Sequence, residues 1–287
     1  MNSLKGTGVA LVTPFTSEGN IDLEGLKRVI DFTGKHVDYF VVLGTTGETA
    51  TLTPKEKNKV LDFVKRENKN KLPIVVGIGG NNTAQVIAEI QSTDLDGVVA
   101  VLSVSPYYNK PSQEGLIAHY TAIANASPLP IILYNVPGRT GSNIAAATTL
   151  SLAKHPNIVG IKEACGDLAQ TGQIASASPD NFMVISGDDM LTAAMMEQGA
   201  VGAISVLANG LPEEFSTITR HGLSGDFKKA HKASTQLEAI NPLMYEESNP
   251  VGIKEVLRQK GICGNNVRLP LIPASHFLSA RISELIK

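Results

Sequence analysis

The feature that most constrains the fold is an alternation of two kinds of segment. A short apolar run rich in β-branched residues is followed by an amphipathic stretch, and this pair recurs eight times in about the first 222 residues. Near-continuous apolarity is typical of strands buried on both faces of a parallel sheet. The predicted strands are residues 8–13, 39–44, 74–77, 97–102, 131–135, 158–162, 182–186 and 200–206.

The amphipathic stretches predict helices, and several carry start signals. Thr53, Pro54 and Glu56 form a capping-box pattern, with proline at the first helical position. Asp22 is the expected N-cap of the first helix, and Asp189 is interpreted as an N-cap rather than as a catalytic acid. The predicted helices cover residues 23–34, 54–68, 82–93, 112–125, 145–154, 167–176, 189–198 and 212–221.

Eight strand–helix units with no β-only region predict an α/β fold, and they favour a closed (β/α)8 TIM barrel. An open doubly wound sheet is the alternative, since the number of strands does not prove closure. After Gly225 the strand pattern stops, and helices are predicted at 226–240, 251–260 and 274–287. We therefore expect a catalytic barrel domain, residues 1–223, and a C-terminal helical appendage, residues 224–287.

The charge and cysteine content exclude several classes of protein. The 25 Lys and Arg residues balance 27 Asp and Glu residues, which gives no net attraction to nucleic acid or an anionic membrane. Cys165 and Cys263 are too few for a disulfide framework, and no spacing typical of a structural zinc site occurs. The first residues do not read as a signal peptide, and no apolar run is long enough for a membrane span. These features predict a soluble protein of a reducing compartment, which we expect to be the cytoplasm.

In a barrel, chemistry takes place where strands end and loops begin, so the strand ends indicate the site. The sixth predicted strand ends in Lys162, directly after an apolar run. Such a lysine is often only a solvated strand cap, and Glu163 beside it offers a structural ion pair. Inside a barrel mouth, however, an apolar site lowers the pKa of a lysine and makes it a nucleophile that forms a Schiff base with a carbonyl.

Two further side chains follow the fifth predicted strand. Tyr134 carries a phenol that can pass protons if it points inward, although it also suits a barrel-filling aromatic. Arg139 follows the turn made by Pro137 and Gly138. A loop arginine is usually just solvated, but one aimed into the mouth matches a carboxylate with its planar fork.

Other strand ends carry weaker signals. The turn at residues 44–48, Gly-Thr-Thr-Gly-Glu, is rich in hydroxyl and backbone donors and suits a small anion, or it is simply a turn of small residues. It lacks the ending of a phosphate loop. Tyr107 and Tyr108 stand between prolines and predict a rigid aromatic loop or a subunit contact. Small residues after the seventh and eighth strands leave space at the mouth.

Taken together, these residues carry a resemblance. The turn at residues 44–48, the Tyr-Tyr-Asn at 107–109, the Tyr-Asn-Val-Pro-Gly-Arg-Thr-Gly at 134–141 and the Ile-Lys-Glu-Ala at 161–164 occur in this order. The chain resembles the dihydrodipicolinate synthase family, one of the pyruvate-dependent class I aldolases, over essentially its whole length. Arg139, in its Arg-Thr-Gly context, is what points to this family among those aldolases.

The resemblance implies a role for each matching position. Lys162 would form the Schiff base with pyruvate, and Thr46 would hold the pyruvate carboxylate. Arg139 would hold the carboxylate of the second substrate, L-aspartate 4-semialdehyde. Gly187 and Ile204 would line the site. The implied product is 4-hydroxy-tetrahydrodipicolinate, on the diaminopimelate route of lysine biosynthesis.

The resemblance also implies a proton relay and an assembly. Tyr134, Thr45 and Tyr108 would form the relay, with Tyr108 reaching across from a neighbouring subunit. The family works without a metal or organic cofactor, and the expected assembly is a homotetramer built from two dimers.

One departure concerns feedback by lysine. Family members that lysine inhibits bind it with a histidine or glutamate set near the second and third helices. At the corresponding positions this chain has Pro54, Lys57 and Gln85. Asn81 and Tyr107 of that region are retained. A positive Lys57 and a neutral Gln85 are poor partners for a cationic ligand, so we expect weak or no inhibition by lysine.

Two rival functions stay open on the sequence alone. A related pyruvate lyase acting on sialic acid or a 2-keto-3-deoxy sugar acid would keep Lys162 and Tyr134 but would not need Arg139. A non-catalytic barrel used for binding or regulation is disfavoured, because the lysine, the tyrosine and the Gly-Thr-Thr-Gly-Glu turn occur together.

Overall fold

Eight parallel strands pair side by side into a closed ring. In the computed structural model, which describes residues 2–286, each strand pairs with the next and the last pairs with the first. The predicted (β/α)8 barrel is therefore confirmed, and the open sheet is wrong. The strands are β1 Gly6–Ala10, β2 Tyr39–Val42, β3 Ile74–Gly77, β4 Ala100–Val104, β5 Ile131–Asn135, β6 Ile158–Glu163, β7 Met183–Ser186 and β8 Gly202–Ser205.

Helices connect the strands around the outside of this ring. The capping box forms as predicted, since the Thr53 side chain accepts the Glu56 amide and the Glu56 side chain accepts the Thr53 amide. None of the helices within residues 2–286 is long and apolar enough to cross a membrane. The helices are α1 Leu23–Thr33, α2 Pro54–Glu67, α3 Thr83–Ser92, α4 Gln113–Ala126, α5 Pro137–Thr140, α6 Ala146–Leu152, α7 Leu168–Ala177, α8 Thr192–Glu197, α9 Pro212–Leu223, α10 Phe227–Thr235, α11 Val251–Gln259 and α12 His276–Leu285.

The differences from the predicted boundaries lie at the ends of elements. Strand β1 begins two residues earlier than predicted and ends at Ala10, while β4 extends to Val104. Burial continues past the ends of the ladder, so apolarity does not mark where strand pairing stops. Helix α5, a single turn after β5, was not predicted, because four residues are too few to show helical periodicity.

Apolar side chains fill two layers, one on each face of the ring. The inner cluster fills the barrel and includes Val41, Val75, Ile132 and Ile204. The outer cluster lies between the strands and the helices and includes neighbours of opposite parity, such as Val42. Successive residues of a strand point to opposite faces, which explains why the strands read as continuous apolar runs.

The C-terminal segment is joined to the barrel by a buried ion pair. Lys254 of α11 lies 2.5 Å from a carboxylate oxygen of Glu48, and their side chains are 0% and 3% exposed. The other Glu48 oxygen accepts the backbone amide of Arg268. Lys254 and Arg268 also lie 4.3 Å and 4.5 Å from the centroid of the Phe15 ring. The segment after α10 therefore holds the turn that follows β2.

We expect removal of one partner of this pair to be costly. Breaking a buried ion pair leaves an uncompensated charge, so Lys254→Met should lower the free energy of unfolding by about 3–5 kcal/mol. The double variant Glu48→Gln, Lys254→Met should lose clearly less free energy of unfolding, because it leaves no unpaired buried charge. Urea denaturation of both variants measures this difference, and equal losses in the two would contradict it.

Candidate functional site

Lys162 and Tyr134 stand side by side at the end of the barrel. They are paired neighbours in the register of β5 and β6, so both side chains point to the same face. The Lys162 ammonium nitrogen lies 4.3 Å from the centroid of the Tyr134 ring, and the residue is 6% exposed. The predicted lysine is therefore buried against an aromatic face at the mouth, where a carbonyl can reach its amine.

Glu163 does not form the structural ion pair with Lys162 that the sequence left open. Its carboxylate accepts hydrogen bonds from the Asn135 amide group, the Gln170 amide group and the backbone amide of Cys165, at 2.8–3.0 Å. Adjacent residues of a strand point to opposite faces, which sends Glu163 outward while Lys162 points inward. The lysine is thus left available for chemistry.

Gly187 gives the Lys162 side chain its room. A Cβ atom at Gly187 would stand 2.8 Å from the Ala164 Cβ and 3.0 Å from the Lys162 Cε. The Gly187 amide donates to the Glu163 carbonyl, which holds the backbone in this position. A larger residue here would therefore press on the lysine.

The turn after β2 presents two threonines to the same region. Gly47 and Glu48 donate their amides to the carbonyls of Gly44 and Thr45, which closes a tight helical turn. The amides of Thr45 and Thr46, at its start, are not used by the turn itself. The Thr46 hydroxyl accepts a hydrogen bond of 3.1 Å from the side-chain amide of Asn249.

A mouth cavity of about 450 Å³ joins these groups. Six of the predicted site residues line it: Thr45, Thr46, Tyr134, Arg139, Lys162 and Gly187. Arg139 is exposed on α5 at the edge of this cavity, so its guanidinium is free to meet an anion. The arrangement places donors and a cation around one buried amine.

The two other predicted residues do not line this cavity. Ile204 is 1% exposed and belongs to the apolar cluster inside the barrel. Tyr108 is 89% exposed, on the loop between β4 and α4, with a left-handed φ of 71°. That loop is fastened by two hydrogen bonds, from Asn81 to the Tyr107 carbonyl and from Asn109 to the Asn81 carbonyl.

The structure also brings residues to the mouth that the sequence patterns did not indicate. The cavity is lined in addition by Asp188, Asn241, Tyr245 and Asn249. The last three come from the segment between α10 and α11, more than 75 residues after Lys162. No local sequence pattern places these three residues beside the turn that follows β2.

The interpretation of Asp189 as a helix N-cap is wrong. Helix α8 begins later, at Thr192, and the Asp189 carboxylate instead accepts the backbone amides of Val206 and Leu207, at 3.0 and 2.8 Å. These two hydrogen bonds therefore join the loop after β7 to the loop after β8. Burial raises the pKa of Asp189 to about 6.

Within residues 2–286, no group of three or more histidine, cysteine, aspartate or glutamate side chains is placed to hold a metal ion. The mouth brings together the Lys162 amine, hydroxyl groups, the Arg139 guanidinium and the Asp188 carboxylate. A buried lysine that faces a cavity at the carboxyl ends of barrel strands is the arrangement that a Schiff-base-forming barrel lyase of the class I aldolase type requires.

Comparison with known proteins identifies the family. The model of the dihydrodipicolinate synthetase family matches residues 3–287, and the chain belongs to that family. The 4-hydroxy-tetrahydrodipicolinate synthase of Cytophaga hutchinsonii is 49% identical over 285 residues, which cover 99% of this chain and 96% of that protein.

Solved structures agree with this assignment. Dihydrodipicolinate synthase from Thermotoga maritima shares 36% sequence identity, with a TM-score of 0.95 and coverage of 98% of this chain and 97% of that chain. The chloride-inhibited enzyme from Acinetobacter baumannii, in complex with pyruvate, also shares 36% identity, with a TM-score of 0.95 and coverage of 99% and 98%.

The raised pKa of Asp189 predicts a dependence of stability on pH. Its pKa rises from an ordinary 3.8 to about 6 on folding, so its contribution to stability is greatest below the lower value and is lost as pH rises through the upper one. Asp189→Asn keeps an acceptor for both amides without the charge. Near neutral pH and above, we expect this variant to be more stable than the wild type by up to about 3 kcal/mol.

Urea denaturation at about pH 4 and about pH 8 measures the effect. The advantage of the variant should shrink toward the lower pH, where the aspartate is protonated. A difference between variant and wild type that is the same at both pH values would contradict the prediction.

Proposed function

We propose that the chain condenses pyruvate with L-aspartate 4-semialdehyde to give 4-hydroxy-tetrahydrodipicolinate, on the diaminopimelate route of lysine biosynthesis. The observation that carries the proposal is the buried Lys162 amine, 4.3 Å from the Tyr134 ring centroid and open to the mouth cavity. The names of the chain's relatives support the same reaction.

In the proposed mechanism, the Lys162 amine attacks the keto carbon of pyruvate, and loss of water leaves a protonated imine. The imine withdraws electrons, so a methyl proton leaves and an enamine forms. The enamine carbon attacks the aldehyde carbon of the second substrate and makes the new carbon–carbon bond. The amino group of that substrate then attacks the imine carbon and releases the Lys162 amine.

Each of these steps moves a proton, and the mouth offers hydroxyl groups for this purpose. We assign the relay to Tyr134 and Thr45, which line the same cavity as the lysine. Tyr108 is the proposed third member. Tyr108 is almost fully exposed and does not line the mouth cavity of its own subunit, so we propose that it serves the site of a neighbouring subunit.

Recognition of the two substrates is divided between two parts of the mouth. We assign the pyruvate carboxylate to Thr46 and the free amides at the start of its turn, and the semialdehyde carboxylate to Arg139. Gly187 leaves room for the imine, while the buried Ile204 supports the site by packing from below. The assembly we propose is a homotetramer, and the location is the cytoplasm.

Borohydride trapping tests the imine. With pyruvate present, reduction should add one pyruvate-derived mass at Lys162, and Lys162→Ala should give neither this adduct nor condensation in a coupled assay. Absence of the adduct from the wild-type protein would rule out the imine mechanism.

Two glycine variants sharpen the trapping experiment. Gly187→Ala should strongly reduce trapping, because its Cβ would press on Lys162, whereas Gly138→Ala should trap like the wild type, since nothing lies within 4 Å of a Cβ there. Both glycines line the mouth cavity, which makes them a matched pair. Equal trapping by the two variants would show that Gly187 does not control the lysine.

Arg139→Ala separates the two substrates. Loss of a charge-assisted pair should raise the KM for the semialdehyde by roughly 10-fold to 100-fold. Trapping with pyruvate should remain close to wild type, because Arg139 is assigned to the carboxylate of the other substrate. An equal loss of trapping would instead assign Arg139 a structural role.

Weak or absent inhibition by lysine is also expected. Lys57 lines a groove together with Pro54 and Gln85, and it is paired with Glu89 of α3 at 2.8 Å. The Glu89 carboxylate is therefore already neutralised and is a poor partner for a cationic ligand in this groove. A steady-state titration with L-lysine measures this directly. Inhibition at low-millimolar concentrations or below would contradict the prediction.

A further inference from the structure

The turn that we assign to the pyruvate carboxylate receives donors from the C-terminal segment. The side-chain amide of Asn249 donates to the Thr46 hydroxyl oxygen, and Lys254 donates to the Glu48 carboxylate. All four residues are buried, each less than 10% exposed. Distant parts of the chain therefore meet at this turn, away from bulk solvent.

The hydrogen bond from Asn249 has a directional consequence. A threonine hydroxyl carries one proton, and when its oxygen accepts a bond from an amide, that proton must point away from the amide. Thr46 lines the mouth cavity, so its proton is left for a group bound there. A carboxylate accepts hydrogen bonds and donates none, which makes a donating hydroxyl the suitable partner.

We propose that Asn249 is a positioning residue that makes the Thr46 hydroxyl a donor to the substrate carboxylate. This inference rests on the proposed function, because it needs pyruvate to bind at that turn. Asn249 acts through Thr46 and is not assigned a part in the chemistry.

The ion pair at the other end of the turn keeps this geometry in place. Glu48 has a left-handed φ of 53°, a conformation that costs energy for a residue with a side chain. Its carboxylate is held by Lys254 and by the backbone amide of Arg268. With Glu48 fixed, the turn cannot shift to restore the Thr46 contact when Asn249 is changed.

Asn249→Asp tests the proposal, because an aspartate at the same place accepts the Thr46 proton and reverses the direction of the hydroxyl. The concentration of pyruvate that gives half-maximal borohydride trapping should rise by roughly 10-fold to 100-fold. The KM for the semialdehyde should change much less. Asn241→Asp is the matched control: it adds the same charge to the same cavity, and no hydrogen bond joins Asn241 to Thr46 in the described part of the chain.

A second background separates positioning from general damage. In Thr46→Val, which has no hydroxyl to orient, Asn249→Asp should add little further loss of pyruvate trapping. Asn249→Ala, which leaves the hydroxyl free to rotate, should give a smaller rise than Asn249→Asp. It also provides the measurement if the aspartate variant does not fold.

The outcomes distinguish this inference from the proposed function. If wild-type protein forms no pyruvate adduct, the proposed function fails. Suppose instead that the wild type traps pyruvate. If Asn249→Asp then needs the same pyruvate concentration for half-maximal trapping as the wild type or as Asn241→Asp, the positioning role alone is overturned. The positioning role is also overturned if Asn249→Asp weakens pyruvate trapping as much in the Thr46→Val background as it does in the wild type.

Discussion

Closure of eight parallel strands into a ring is the constraint on which the site depends. In a closed parallel barrel every strand is paired on both sides, and all carboxyl ends meet at one rim. Lys162 from β6 and Tyr134 from β5 are neighbours because their strands are paired in register. The turn after β2 reaches the same rim from another part of the ring, so groups far apart in sequence share one cavity.

The rim combines an apolar floor with polar walls. Below the mouth, side chains such as Ile132, Ile185 and Ile204 fill the barrel and exclude water. On the outward face of the strand ends, the buried Glu163 carboxylate is held in place by donors from Asn135 and Gln170. Burying these polar groups is tolerated because they are hydrogen-bonded, and their bonds fasten neighbouring loops to one another.

The segment between α10 and α12 belongs to the site as well as to the fold. It supplies Asn241, Tyr245 and Asn249 to the cavity wall, and Lys254 to the buried pair with Glu48. A charge with 0% exposure requires its partner, so the turn after β2 and helix α11 are joined in the folded protein. The predicted helical appendage therefore has a direct physical connection to the turn that carries Thr46.

The sequence by itself determined the eight alternating units and thereby the barrel, because strands buried on both faces must be apolar and the helices between them amphipathic. It also indicated Lys162 and Tyr134, since polar residues at the ends of apolar runs mark the mouth. A local interpretation assigns the wrong role to Asp189. As an N-cap its carboxylate would accept the amides of the next helix, whereas the amides that it does accept belong to the loop after β8.

Only the tertiary structure decided the contacts that depend on distance in space. Asn249 meets Thr46 across 203 positions and Lys254 meets Glu48 across 206, and no local pattern encodes such a pairing. The exposed position of Tyr108 and the outward direction of Glu163 likewise follow from loop geometry and strand parity. Local spacing determines which elements form, whereas ring closure and the packing of α11 determine which side chains meet.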